Sequence, residues 1–242
     1  MDTVMVRERY KIVRVLEAEN DYAFAESVDI TERETPVRLL NIYEGEWLPV
    51  YARIFSDLQD CPAFCEAFLV EDSLVAAFLP CRGVEIDRVF YRGADWSWRD
   101  RLDFTEQILH QALTLANVPP AVSCAAMLSD NVRVDVDEKR VMLRFCIRPM
   151  EDMNARELAL LASDHVRKIL VSRFRQGDAE HEFVQLLKQG GFASIVPLYS
   201  CWHRMREEMV AEYEELDKKN AIKRWFSFLW KKLKRVFRKK RR

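Results

Sequence analysis

The sequence predicts an α+β fold, and three stretches predict it. In the first, Val132, Val134 and Val136 alternate with Arg133 and Asp135, a polar run Asp137-Glu138-Lys139-Arg140 follows, and Val141, Leu143 and Phe145 then alternate with Met142 and Arg144. Period two, a four-residue polar turn and period two again read as a β-hairpin. In the second, Trp47, Val50, Tyr51, Ile54, Phe55 and Leu58 mark one face of a helix over Glu46–Leu58. The third is the end of the chain. From Lys218 onward there are 13 Lys or Arg and no acid, whereas the preceding 217 residues hold 25 basic and 39 acidic residues, a formal charge of −14. An acidic globule thus carries a basic tail, and the two have different partners.

Taken in order, Arg9–Leu16 and Ala23–Val28 read as strands joined by the acidic turn Glu17-Ala18-Glu19-Asn20-Asp21. A third strand spans Pro36–Ile42, and the amphipathic helix closes at Cys61-Pro62. Phe64–Val70 and Leu74–Leu79 are two more strands about Glu71-Asp72-Ser73, which makes five strands and one helix before a hinge at Pro80–Gly83. A connector rich in Trp and Arg, Tyr91–Arg101, leads into a helix over Arg101–Ala116, then the hairpin. Helices follow from about Asn154, marked by Leu158, Leu161, Val166, Ile169, Leu170 and Phe174, over Ala179–Gln189, and from about Ser194 through Leu216. With 49% apolar residues the chain can fill a core. The six Cys contain no CxxC pair, so reduced thiols in a cytosolic protein are expected. The opening residues have neither the basic nor the apolar region of a signal peptide, and no apolar run reaches the ~20 residues of a membrane span.

Helix, loop with an Asn, hairpin and a Phe just after it: this order of elements resembles the catalytic core of the protein kinase-like fold. The resemblance covers residues 7–150 in layout and extends loosely to about 205. It implies a two-lobed fold with a five-stranded antiparallel small lobe (1–80), a reduced, all-helical second lobe with the hairpin (81–205), and a helical linker and tail (206–242). In that family the loop carries His-Arg-Asp, an Asn follows, and Asp-Phe-Gly closes the hairpin. Here Asn131 stands where the Asn belongs, Cys124-Ala125-Ala126 where His-Arg-Asp belongs, and Arg144-Phe145-Cys146 where Asp-Phe-Gly belongs. Val37-Arg38-Leu39-Leu40 matches the strand of the nucleotide-pairing Lys, with Leu40 in its place. Arg38 is either a substitute cation or a surface arginine, and Asn131 is either a remnant of the motif or a turn residue at the hairpin entry.

The resemblance therefore implies a pseudokinase, an inactive binding or scaffold domain without cofactor or metal. Phosphoryl transfer needs positioned Mg²⁺, phosphate clamps and a base. The remnant cleft offers Leu40, Ala126, Asn131, Arg144 and Phe145, so the clamp, base and metal ligand are all gone. The turn that is Gly-rich in kinases has no Gly and three acids, which repel a triphosphate. Two alternatives stay open: a divergent small-molecule or lipid phosphotransferase, and nucleotide binding without metal through Arg144. Among kinase relatives the likeness runs toward the pseudokinase domain of a bacterial type VII secretion membrane component.

In the tail, Ile222, Trp225, Phe226, Leu229, Leu233, Val236 and Phe237 form one stripe at helical spacing, broadened by Phe228 and Trp230. Lys223, Arg224, Lys231 and Lys232 stand among the basic residues around it. A basic amphipathic helix with aromatics is the pattern of a membrane-surface helix. The expectation is peripheral attachment to the anionic inner face of a membrane, with an additional protein partner. A partner groove, a latch onto the acidic globule and a nucleic-acid arm compete with that reading; aromatics on one helix face suit lipid better than base stacking.

Overall fold

The structure is a computed structural model that describes residues 4–240 except 59, 92–93, 152 and 171–175, with side chains through 236. Phe174 and the side chain of Phe237 lie outside the described residues.

The first part is an antiparallel sheet of strands β1 (Met5–Val6), β2 (Tyr10–Glu19), β3 (Tyr22–Asp29), β4 (Val37–Tyr43), β5 (Phe64–Val70) and β6 (Ser73–Phe78), in the order β1-β2-β3-β4-β6-β5. Six strands replace the expected five. Met5 and Val6 pair with Lys11 and Tyr10 through a tight turn in which Arg7 and Glu8 both have φ of 52°. Hairpin turns of this left-handed kind are usually written with Asn or Gly, so Arg-Glu carried no turn signal. Strand β2 is also longer than expected. It runs through Glu19, so only Asn20 and Asp21 form the turn, and register shifts at Ile12/Arg14 and Val15/Glu17 bend it. Such bulges re-aim side chains.

Alternation gives the sheet two unlike faces. On one, Tyr22, Phe24, Leu39, Tyr43, Ala76 and Phe78 join the main core. On the other, Leu40, Val75 and Ala77 pack with Val6 and Tyr10. Helix α1 (Trp47–Ser56) buries Tyr51 and Phe55 against the first face. Tyr51 stacks on Tyr43 with ring centroids 4.2 Å apart.

The helical part begins after a short strand β7 (Val84–Glu85) and the turn of helix α2 (Ile86–Val89). Helix α3 (Trp98–Thr114) starts three residues before the expected Arg101, because Ser97 caps it by accepting from Asp100 N. Helix α4 (Pro120–Ala126) follows with Pro at its first position. It occupies sequence read as loop: Cys124, Ala125 and Ala126 are helical and buried. The hairpin forms as β8 (Val132–Asp135) and β9 (Arg140–Leu143), and β7 completes a three-stranded sheet. The hairpin is the expected one, and β7 is an addition to it. Helices α5 (Ala155–Ile169), α6 (Asp178–Gln189), α7 (Ile195–Asp217) and α8 (Ala221–Lys240) complete the chain. Helix α7 runs unbroken past position 205. One apolar core continues from the sheet through α3, α4, α5 and α7.

His165 on α5 ties two of these helices together. Its Nε2 lies 2.7 Å from the Met127 carbonyl beyond the end of α4, so that nitrogen carries the proton and donates. Nδ1 is buried without a partner among the described residues. Burial lowers the His165 pKa to about 4, from 6.5. Between those values the unfolded chain takes up a proton that the folded protein refuses, so stability falls as pH falls from about 6.5 to about 4. The full loss is roughly 3 kcal/mol at 1.36 kcal/mol per pKa unit. Acid melts of wild type and His165→Gln should diverge on this account. The wild type should lose stability more steeply in that window, and parallel curves would show that His165 is not the titrating group.

Candidate functional site

The segment Phe145–Met150 passes under the sheet and is held there almost entirely by its own backbone. Asn41, fully buried on β4, donates from Nδ2 to the Phe145 carbonyl (2.9 Å) and accepts from Ile147 N at Oδ1 (2.7 Å). The same oxygen accepts from the Tyr22 hydroxyl (2.9 Å). The Tyr43 hydroxyl donates to the Ile147 carbonyl (2.6 Å), and Tyr51 of α1 donates to the Arg148 carbonyl (3.2 Å) and accepts from Met150 N (3.3 Å). Phe145 stacks on Phe78 with centroids 5.3 Å apart. The carbonyls of Phe145 and Ile147 and the amide of Ile147 thus meet partners, as burial demands.

From the helical side, Asn131 closes the arrangement. Its Nδ2 donates to the carbonyls of Ala125 (2.7 Å) and Cys146 (2.8 Å), and Oδ1 accepts from Arg144 Nε (3.2 Å). It sits in the turn that enters β8, as a turn residue would, and is fully buried there as a clasp. The Arg144 guanidinium lies over the Phe24 ring, 5.5 Å from its centroid, and 3.7 Å from Asp130. Asp130 also pairs with Arg148 (2.7 Å), and Arg148 bonds both carboxylate oxygens of Glu17. Glu17 reaches this point because it lies directly opposite Phe24 in the bulged β2–β3 ladder and so shares the face that looks onto the segment. Burial pushes the Cys146 thiol up to about 11, with the Tyr22 hydroxyl 3.3 Å away opposing the shift, so it remains a neutral thiol.

The sequence-predicted cleft residues are only partly brought together. Asn131, Arg144 and Phe145 share this site, and Ala126 ends α4 beside it. Leu40 does not join them. It belongs to the outer cluster with Val6 and Tyr10, and Arg38 on the same face pairs with Glu32 (2.8 Å). The residues of β4 that reach the segment are Asn41 and Tyr43. Strand periodicity decides this: moving one residue along β4 exchanges the faces. Sequence reading missed Asn41, Tyr22, Tyr43, Tyr51, Glu17 and Arg148. The one available signal was a lone Asn within Val37–Tyr43, since an amide at a buried strand position requires partners.

The tail presents a second candidate surface. Helix α8 is capped by Asn220, whose side chain accepts from Lys223 N (2.9 Å). It returns along α7 and docks by its polar side. Phe228 packs on Tyr213 and Leu216, with Trp98 beside them. Lys231 bonds Asp178 (2.7 Å) and Glu212, Arg235 bonds Asp178 (2.7 Å) and the carbonyls of Gln176 and Gly177, and Arg224 bonds Asp217 (2.8 Å). Lys231 and Arg224, read from sequence as membrane-facing, thus turn toward the globule, and Phe228 is not part of the stripe. At 100° per residue these four lie nearly opposite the apolar stripe. Ile222, Trp225, Phe226, Trp230, Leu233 and Val236 are exposed, Trp230 by 72%, and Leu229 is half-buried. Lys223 and Lys232 flank the stripe and are exposed. Among the described residues no helix is long and apolar enough to cross a membrane, and no group of three His, Cys, Asp or Glu side chains could hold a metal ion.

The architecture has known counterparts. The chain is similar to the kinase domain of PknI from Mycobacterium tuberculosis, with a TM-score of 0.55 at 12% identity over 85% of this chain and 99% of that one. It is also similar to Rad53 residues 1–466 in complex with AMP-PNP, with a TM-score of 0.58 at 13% identity over 80% of this chain and 65% of that one. The fold is that of a protein kinase domain. No family model matches the sequence, and no curated protein matches it.

Proposed function

We propose that this chain is a catalytically inactive kinase-like binding domain, held at an anionic membrane surface by α8. The observation that carries the membrane reading is the orientation of α8. A helix packed on its own domain normally buries its apolar face. Here the polar side docks and the aromatic stripe faces outward. The residues that would insert into lipid are therefore presented while the helix stays attached.

Inactivity rests on the crevice. A kinase-like fold implies a nucleotide and Mg²⁺, and these residues do not fit them. Arg144 puts a cation where the family's metal-binding carboxylate stands. Asp130 and Glu17, the carboxylates within reach, are already paired with Arg148. Asn41 has both amide groups committed to the backbone of Phe145 and Ile147. Among the described residues of the crevice no positioned base or clamp is left to supply the electrostatic stabilisation that phosphoryl transfer needs. Thermal melting in millimolar Mg·ATP should leave the melting temperature unchanged. A ligand at 100 times its dissociation constant would add about 2.7 kcal/mol, so a Mg-dependent rise would overturn the inactive reading and restore the phosphotransferase alternative.

A further inference from the structure

Where the chain leaves α7 and enters α8, an open groove of about 460 Å³ is lined by Lys219 of the connection and by Lys223, Phe226, Ser227 and Trp230 of α8. Its lining residues are two lysines, a serine and two aromatics, with no Asp or Glu among them. Lys219 Nζ donates to Ser227 Oγ (3.4 Å), and that hydroxyl donates to the Lys223 carbonyl (2.9 Å), which gathers the Lys219 cation and the hydroxyl at one place. The first turn of α8 has no acidic residue, so the positive end of the helix dipole adds to the two lysines. Lys234 follows on the same side of the helix and is exposed.

The groove lies between the docking side and the outward stripe. Phe226 and Trp230 belong to both the groove and the stripe. With the stripe at the hydrocarbon boundary, Lys219, Lys223 and Ser227 stand at the level of the headgroups. We propose that this groove binds a phosphomonoester group, presented by a lipid headgroup; the lipid source rests on the membrane reading above. A phosphomonoester carries about −1.5 to −2 charge and three acceptor oxygens, enough to meet both ammoniums at once. A phosphodiester offers one charge and fewer free oxygens, and a carboxylate offers one charge on two oxygens.

Co-sedimentation of the full chain with phosphatidic acid vesicles and with phosphatidylglycerol vesicles, diluted in phosphatidylcholine to equal surface potential, tests the site. Glycerol 3-phosphate titrated without vesicles tests a soluble source. Wild type should favour phosphatidic acid by about tenfold, the worth of one charge-assisted hydrogen bond gained. Lys219→Gln with Lys223→Gln should remove that preference, whereas Lys218→Gln with Lys232→Gln, which removes equal charge outside the groove, should keep it. Glycerol 3-phosphate binding that is lost in the first double variant alone would support the phosphomonoester chemistry with a soluble source. Equal affinity for the two vesicle types together with no glycerol 3-phosphate binding would overturn the site while leaving membrane attachment intact. Failure to bind any anionic vesicle would overturn the membrane reading instead, and the soluble titration would then decide the site alone. A preference lost equally in both double variants would also overturn it, since bulk charge would then account for everything.

Discussion

Removing residues 218–242 should abolish co-sedimentation with anionic vesicles, and replacing the stripe should do so at high salt. Basic residues near a charged leaflet contribute up to ~1 kcal/mol each and fade within a Debye length. Lys231, Arg235 and Arg224 are engaged with Asp178, Glu212 and Asp217, so they add less than their number suggests. The salt-resistant part must come from the stripe. Burying an aromatic or aliphatic side chain is worth roughly 1.5–3 kcal/mol at full burial. Trp225 and Phe226 begin 50% and 57% exposed, so each can gain only part of that on insertion. Trp225→Ala combined with Phe226→Ala and Leu229→Ala should therefore weaken high-salt binding by about a hundredfold, or ~2.7 kcal/mol. Lys231→Ala with Arg235→Ala should instead leave vesicle binding in place and speed amide exchange in α8, because those side chains hold the helix to the globule. If the truncated chain still pellets, α8 is not the anchor. If the triple variant binds at high salt like wild type, the stripe is not inserted.

Asn41→Leu should be the most damaging single change in the crevice. Leu matches Asn in approximate size and removes three hydrogen bonds. It leaves the Phe145 carbonyl, the Ile147 amide and the Tyr22 hydroxyl without that partner in a fully buried place. Each stranded group costs about 1–3 kcal/mol, so a loss of roughly 3–9 kcal/mol is expected, a large share of a typical stability of about 5–15 kcal/mol. Leu40→Met, the neighbouring position on the opposite face, is close to volume-conserving and should cost less than about 1.5 kcal/mol. Denaturant midpoints of the two variants provide the comparison. Equal, small losses would mean that Asn41 does not hold the Phe145–Met150 segment to the sheet.

The contrast between Leu40 and Asn41 also marks how far the sequence could be read. Element order, the hairpin, the α1 face and the charge division between globule and tail were legible, because each rests on local periodicity or composition. The kinase-like layout was legible for the same reason. The lesser errors were local too: Arg7 and Glu8 adopt a left-handed turn without the residues that announce one, and Cys124–Ala126 join a helix with no polar cap at its start. The candidate site was half legible. Asn131, Arg144 and Phe145 were found by their order along the chain, whereas the partner on β4 was placed one residue off.

What the sequence determined by itself was which segments become strands and helices, which residues stand in the loop and hairpin of the kinase-like layout, and that the tail has an apolar stripe among lysines and arginines. Only the tertiary structure decided which face of β4 meets the segment after the hairpin, that Glu17 reaches Arg148, and that α8 docks by Phe228, Lys231 and Arg235. The physical reason is the same in each case. A period of 2 or 3.6 residues divides an element into faces, but which face is buried depends on what the rest of the chain brings against it. For β4, that is two buried backbone groups needing an amide. For α8, it is the carboxylates of Asp178, Glu212 and Asp217, the first of them far away in sequence from the Lys231 and Arg235 it holds, and they leave the aromatic stripe turned outward.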